Sequence, residues 1–204
     1  ISPLTSLDCT NPVTLATGQT VNNFGNANYG IRTLKDATAV SSNTGYYRLT
    51  ERIGVDKLIE MAHRLGISAE LPEYPIITLG TENVTPLEMA EGDRAISEEI
   101  AGAVTDVLRV VFELPYATAY GSGPSNGQVV AGKTGTGVDY RDHVLAGYCP
   151  TLTCVAWIGN RDYSSTSSWI TANSLWHDFM SRALEGEKTV DFPKVAEPTY
   201  STQL

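Results

Sequence analysis

The stretch VVAGKTGTGVDYRDHVLAGY, Val129 to Tyr148, decides how this chain is read. It is apolar and β-like, yet Lys133 stands inside the first run. A charged lysine in a strand is costly to bury unless it is paired, and its ordinary place is an exposed strand face. Its neighbours argue for more. Lys133 is embedded in Gly132, Thr134, Gly135 and Thr136. Glycines let another backbone or a ligand approach a strand closely. Two threonine hydroxyls beside one ammonium make an anion-recognition edge. Alternation puts Lys133 and Gly135 on one face and Thr134 and Thr136 on the other. Such an edge suits a carboxylate, and its backbone groups suit an extended peptide.

Around this run the hydrophobic period is that of a sheet. QVVAGKTGT, HVLAGYC and LTCVAWIGN are short apolar runs separated by turn residues, which predicts strands within 127–160. The last two runs, joined by PTLT, predict an antiparallel hairpin. Upstream, residues 33–114 read as mainly helical. LKDATAVSSNTGYYRLTERIG suits one or two short helices, and VDKLIEMAHRLGI repeats apolar residues at helical spacing before Gly66. Thr85 before Pro86 marks a helix entry. The segment AISEEIAGAVTDVLRVVFE carries one apolar stripe through Ile100, Val104, Val107, Leu108 and Val111. Residues 1–32, rich in Asn, Gly, Thr and Pro, read as a loop region. Helical spacing returns over 165–184, and a polar tail, 185–204, with Pro193 and Pro198, is expected to be extended or frayed. The order predicts an α+β fold, helices packed on an antiparallel sheet, over residues 1–184.

Composition narrows the function. With 204 residues and 42% hydrophobic content the chain has enough material for one domain with a real core. A formal charge of -9 argues against a nucleic-acid partner and leaves no basic patch for anionic lipid. No apolar run approaches the roughly 18 residues of a membrane helix. The start, ISPLTSLDC, resembles neither a signal peptide nor an anchor and lacks an initiator Met, so the chain reads as a fragment or a processed form. Cys149 and Cys154 flank PTLT, where either a cross-hairpin disulfide or two small buried thiols would fit. His63, His143 and His177 stand in no ligand pattern, so neither a metal nor an organic cofactor is expected.

A second motif, SSNT at Ser41 to Thr44, is weak alone, because Ser and Asn mark caps and turns. Between two helical stretches, however, Ser41 and Asn43 are placed to present side chains to one point. Ser-x-Asn at 41–43 followed by Lys-Thr-Gly at 133–135 reproduces two of the three motifs of penicillin-binding proteins and serine β-lactamases, in their order. AVSSNTGYYRLTERIGVDKLIEMAHRLGI, LGTENVTPLEMA and AGKTGTGVDYRDHVLAGYCPTLTCVAWIGN resemble the family's corresponding regions, so the resemblance runs from about Cys9 to Leu184. RDHVLAGY is most similar to bifunctional class A members, which carry a glycosyltransferase domain upstream.

The resemblance implies a D,D-transpeptidase that cross-links peptidoglycan through an acyl-serine. Its partners would be D-Ala-D-Ala stem peptides and the β-lactams that mimic them. Ser41 would relay a proton, Asn43 would hold the substrate amide, and Lys133 would supply positive field. Thr134 and Thr136, with Gly135 between them, would hold the terminal carboxylate, and the Thr136 N–H would form part of the oxyanion hole. The intact protein would lie outside the cytoplasm, anchored to the membrane by an upstream segment.

Two departures stand out. The Ser-x-x-Lys motif that carries the nucleophile is absent: three residues before Lys35, Lys57, Lys133, Lys188 and Lys194 stand Arg32, Gly54, Val130, Glu185 and Asp191. After Ala90, where the family continues with a further helical segment, EGDRAISEEI follows at once. The chain is therefore expected to be the downstream part of a transpeptidase domain, with an upstream portion supplying the nucleophile. Without that portion, Val104, Val107, Leu108 and Trp157 are expected to lack cover and the chain to be marginally stable alone. Two other readings remain, a non-catalytic peptidoglycan- or partner-binding module of the same fold, and a carboxypeptidase or β-lactamase relative.

Overall fold

The structure is a computed structural model that describes residues 1–92, 94–166 and 171–201. The first 33 residues form two small antiparallel ladders. Strand β1 (Ser6–Asp8) pairs with β4 (Ile31–Thr33), and β2 (Val13–Thr14) pairs with β3 (Thr20–Val21). These strands of two or three residues are too short to show a period, so composition alone reads them as loop. Helices α1 (Leu34–Ala39), α2 (Asn43–Ile53), α3 (Val55–Arg64), α4 (Pro86–Ala90) and α5 (Glu98–Glu113) follow. All of these starts but that of α3 are capped by side chains. Thr33 accepts from Asp36 N, Ser42 from Gly45 N and Ser97 from Ile100 N, while Thr85 and Glu88 form a reciprocal capping box.

The main sheet has three antiparallel strands in the order β5 (Ala131–Thr136), β6 (Asp142–Cys149), β7 (Leu152–Gly159). Helix α6 (Ala172–Ala183) closes the element order; the start of the helix expected over 165–184 falls partly at 167–170, outside the described residues. The core lies between α6, the sheet and the C-terminal end of α5. Trp176, Leu145, Met180 and Val111 have no exposed surface there. The Trp176 indole donates to Cys154 O at 3.0 Å and meets the Phe112 ring at 5.2 Å. It also lies over Gly147, where a Cβ would come within 2.9 Å of the indole, so that strand position needs glycine.

The stripe on α5 is only partly covered. Val110, Val111 and Phe112 are buried, while Ile100 and Val104 are each 44% exposed and Trp157 on β7 is 50% exposed. Between α1, α2 and α5 lies an apolar cavity of about 500 Å³, bounded by Leu34, Tyr46, Leu49, Val104 and Leu108. The C-terminal tail reaches this cavity through Tyr200. The tail is extended, as its prolines predict, but it is docked rather than frayed. Gln128 grips it from both sides, donating to Val190 O at 2.6 Å and accepting from Val190 N at 2.9 Å. Phe192 meets Tyr148 edge-on at 5.6 Å, and Val195 packs on α5 at Gly102, which leaves no room for a Cβ.

The hairpin settles the cysteine question. Cys149 and Cys154 are both free thiols. In the β6–β7 register Cys149 faces Leu152 and Cys154 faces Gly147, so the two cysteines are diagonal neighbours. Diagonal Cβ atoms stand about 7 Å apart, against the roughly 4 Å a disulfide requires.

Candidate active site

The two motifs meet across a cleft between the α1–α2 turn and the outer edge of β5. Helix α1 ends at Ala39, and Ser41 turns the chain in the left-handed region, with φ 53°. Its N–H donates to Thr38 O, and Ser42 then caps α2. Asn23, 2% exposed, holds this turn from behind. Its carbonyl oxygen accepts from Ser42 Oγ at 3.2 Å, Thr44 N at 3.1 Å and Thr44 Oγ1 at 3.2 Å. Its amide donates to Cys9 O at 3.1 Å and Ala27 O at 3.0 Å. A non-glycine, non-asparagine residue at positive φ is strained, and here the surrounding bonds over-determine the turn.

Lys133 reaches across from β5 and donates to Ser41 Oγ at 2.8 Å and to Thr134 O at 2.9 Å. It is not on an open strand face. Burial pulls its ammonium from the ordinary 10.5 down to about 8, and among the described residues no carboxylate forms an ion pair with it. The strand passes close to its neighbour at this point: a Cβ on Gly132 would collide with the backbone of Ala146 and Gly147, and one on Gly135 would come within 2.6 Å of Val144 Cγ1.

The register fixes which backbone groups of β5 face the cleft. Gly137 N donates to Asp142 O at 2.8 Å, which continues the β5–β6 ladder from Thr136 opposite His143. Because the two sides of a strand alternate, Gly135 and Lys133 direct their backbone groups to β6, and Thr134 and Thr136 direct theirs outward. The Lys133 bond to Thr134 O fits this phase. Thr136 is exposed at the end of the strand, with its N–H on the cleft edge.

Asn43 behaves differently from its motif partner. Its amide donates to Asn22 O at 2.8 Å, and no hydrogen bond joins it to Ser41 or Lys133 among the described residues. As the first residue of α2 it points to the 20s loop, so Ser41 and Asn43 do not converge on one point as the sequence predicts. One residue not singled out in the sequence, Thr118, joins the two walls. Its hydroxyl accepts from Thr134 Oγ1 at 2.6 Å, its N–H donates to Ala39 O at 3.2 Å, and its carbonyl accepts from Asn173 Nδ2 at 2.9 Å. Beyond Thr136, Phe24 meets Tyr140 edge-on at 5.9 Å, and Tyr140 lies 6.2 Å from His143. Among the described residues no group of His, Cys, Asp and Glu is arranged to hold a metal ion.

The site thus sets a lysine bonded to the turn before a capped helix at the edge of an antiparallel sheet, beside an outward backbone N–H. Known proteins share the fold and part of the sequence. Residues 6–91 match the model of the penicillin binding protein transpeptidase domain. Penicillin-binding protein 2D of Bacillus subtilis is 29% identical over 212 residues, covering 82% of this chain and 30% of that protein. Penicillin-binding protein 1A of Aquifex aeolicus is 25% identical, covering 78% of this chain and 26% of that protein. PonA1 from Mycobacterium tuberculosis, solved in complex with penicillin V, superposes with a TM-score of 0.82 at 21% identity, covering 97% of this chain and 68% of that one. The chain is similar to penicillin-binding protein transpeptidase domains in sequence over residues 6–91 and in fold over nearly its whole length. It spans about 30% of the length of the first curated relative. That match runs over 212 residues while using 82% of a 204-residue chain, so the relative carries residues inside the matched span that this chain lacks. No helix of the described residues is long and apolar enough to cross a membrane.

Proposed function

We propose that this chain forms the substrate-binding wall of a D,D-transpeptidase site, completed by a Ser-x-x-Lys segment from outside the 204 residues. The observation that carries this reading is the 2.8 Å bond from Lys133 Nζ to Ser41 Oγ across the cleft. It joins two motifs 92 residues apart, beside an outward-facing strand edge.

The chemistry follows from the edge. A stem peptide ending in D-Ala-D-Ala lies along β5 with its terminal carboxylate at the Thr134 and Thr136 hydroxyls, and Lys133 supplies the nearby positive charge. The Thr136 N–H faces the scissile carbonyl and stabilises the developing oxyanion. Ser41, polarised by Lys133, passes a proton to the departing amine. Asn43, freed from Asn22 O, reaches the substrate amide. An amine of a second stem peptide then resolves the acyl-enzyme. β-Lactams present the same carboxylate and carbonyl and are expected to acylate the same serine. The substrate places the intact protein outside the cytoplasmic membrane. The apolar cavity beside α5 and the half-exposed Val104 are consistent with a missing segment.

The test is covalent labelling by penicillin of the chain combined with its upstream Ser-x-x-Lys segment. Label on the supplied serine is expected, weakened when Thr134 and Thr136 are both changed to Val. Equal labelling of that double variant would remove the carboxylate role of this edge.

A further inference from the structure

We propose that Ser41 and Lys133 are in themselves a serine–lysine dyad, able within this chain to transfer acyl groups from small activated esters to water. This activity is distinct from transpeptidation and needs no upstream serine, so it stands or falls separately from the reading above.

Four features of the site carry it. Ser41 Oγ and Lys133 Nζ are 2.8 Å apart, the distance at which a neutral amine takes a hydroxyl proton. Ser41 is held on a strained turn at φ 53°, directly before the capping residue of the eleven-residue α2. The Thr136 N–H faces the cleft two residues along the strand from Thr134, whose carbonyl holds the same ammonium, a Cα spacing of about 7 Å at ordinary strand rise. A backbone donor thus lies on the same strand edge as the carbonyl that holds the ammonium. Finally, Lys133 loses its proton readily. Its partners are Ser41 from the α1–α2 turn and Thr134 on its own strand, with Ala146 opposite on β6, and no charged group of the described residues pairs with it. Burial alone brings it to about 8, so a useful fraction is neutral base near neutral pH.

The step balances on these two side chains. Lys133 takes the Ser41 proton as Oγ bonds to the ester carbonyl carbon, and the carbon–oxygen bond to the leaving phenolate breaks. Lys133 then releases that proton to the phenolate or to solvent and is neutral again. Water attacks the acyl-serine as Lys133 takes a water proton, and Lys133 returns this proton to Ser41 Oγ as the bond from Oγ to the acyl carbon breaks. The carboxylic acid departs with Ser41 and neutral Lys133 restored. β-Lactams are not expected to react here, because the anchored carboxylate holds their carbonyl for the other serine, whereas a small neutral ester is not anchored.

The experiment is p-nitrophenyl acetate hydrolysis by the 204-residue chain, with the acetylated residue located after acid quench. The expected result is acetyl on Ser41 and a rate that rises with pH to a plateau, with an apparent pKa near 8. Ser41→Ala and Lys133→Arg, the second keeping the charge but not the base, are each expected to lower the rate about 100-fold or more. Ser41→Cys, which keeps the size of the side chain, is expected to accumulate an acetyl-thioester at position 41. Acetylation elsewhere, or an unchanged rate in both Ser41→Ala and Lys133→Arg, would overturn the proposal.

Discussion

Replacing Lys133 by Met separates stability from function at this site. The folded chain holds the ammonium at about 8 against its ordinary 10.5, and burial is the cause. At pH 7 the protonated, buried group therefore costs about 3 kcal/mol relative to the unfolded chain. Methionine keeps the apolar stem and removes the charge. It also removes two hydrogen bonds, to Ser41 Oγ and Thr134 O, each offsetting about 1 kcal/mol. The net expectation is that Lys133→Met stabilises the chain by about 1 kcal/mol at pH 7, while abolishing chemistry that needs the lysine. The sign of the pH dependence follows from proton counting. Between about 8 and 10.5 the unfolded chain binds more protons than the folded one, so wild-type stability rises with pH across that window. The advantage of Met should shrink by about 2 kcal/mol between pH 7 and pH 9.5 and change sign. Urea unfolding of both proteins at the two pH values measures this, and the titrations of shared groups cancel in the difference. A Met variant less stable than wild type at pH 7, or a difference that does not move with pH, would show that Lys133 is not held as a buried cation.

Two further substitutions probe the scaffold. Asn23→Ala strips partners from Thr44 N and Ala27 O, while the hydroxyls of Ser42 and Thr44 can still pair with each other at 3.4 Å. A loss of about 2–4 kcal/mol is expected in chemical unfolding, and a loss under 1 kcal/mol would contradict the role given to Asn23. Trp176→Ala removes the centre of the main core and the bond to Cys154 O, and about 3–5 kcal/mol is expected in the same assay.

How much of this was legible in the sequence depends on the kind of signal. Strand β5 was readable because lysine between glycines and threonines breaks an apolar period, and α5 because its stripe extends over about three turns. Ser41 and Lys133 were readable as two motifs, yet only the fold brings them to 2.8 Å. Thr118 left no trace, since its role rests on bonds to Ala39, Thr134 and Asn173, which lie on three separate elements. Asn23 sits in a segment where asparagine is common, and its burial depends on packing against Cys9 and α2. The tail was readable as extended or frayed from its prolines and polar residues; what docks it is the side chain of Gln128, 62 residues away. The Asn43 bond to Asn22 O was not readable, because it depends on how the start of α2 turns that side chain. Of the residues expected from the missing first motif to lack cover, Val104 and Trp157 are half-exposed, while Val107 and Leu108 are partly buried.

The central claim is that this chain binds and polarises while the reacting serine comes from elsewhere. The most direct measurement is to treat the chain, alone and together with its upstream Ser-x-x-Lys segment, with penicillin and to locate the adduct by peptide mapping. The account expects no penicillin adduct on the chain alone, and an adduct on the upstream serine when both are present. A penicillin adduct on any residue of this chain, or none in the combined sample when both parts are folded, would contradict it.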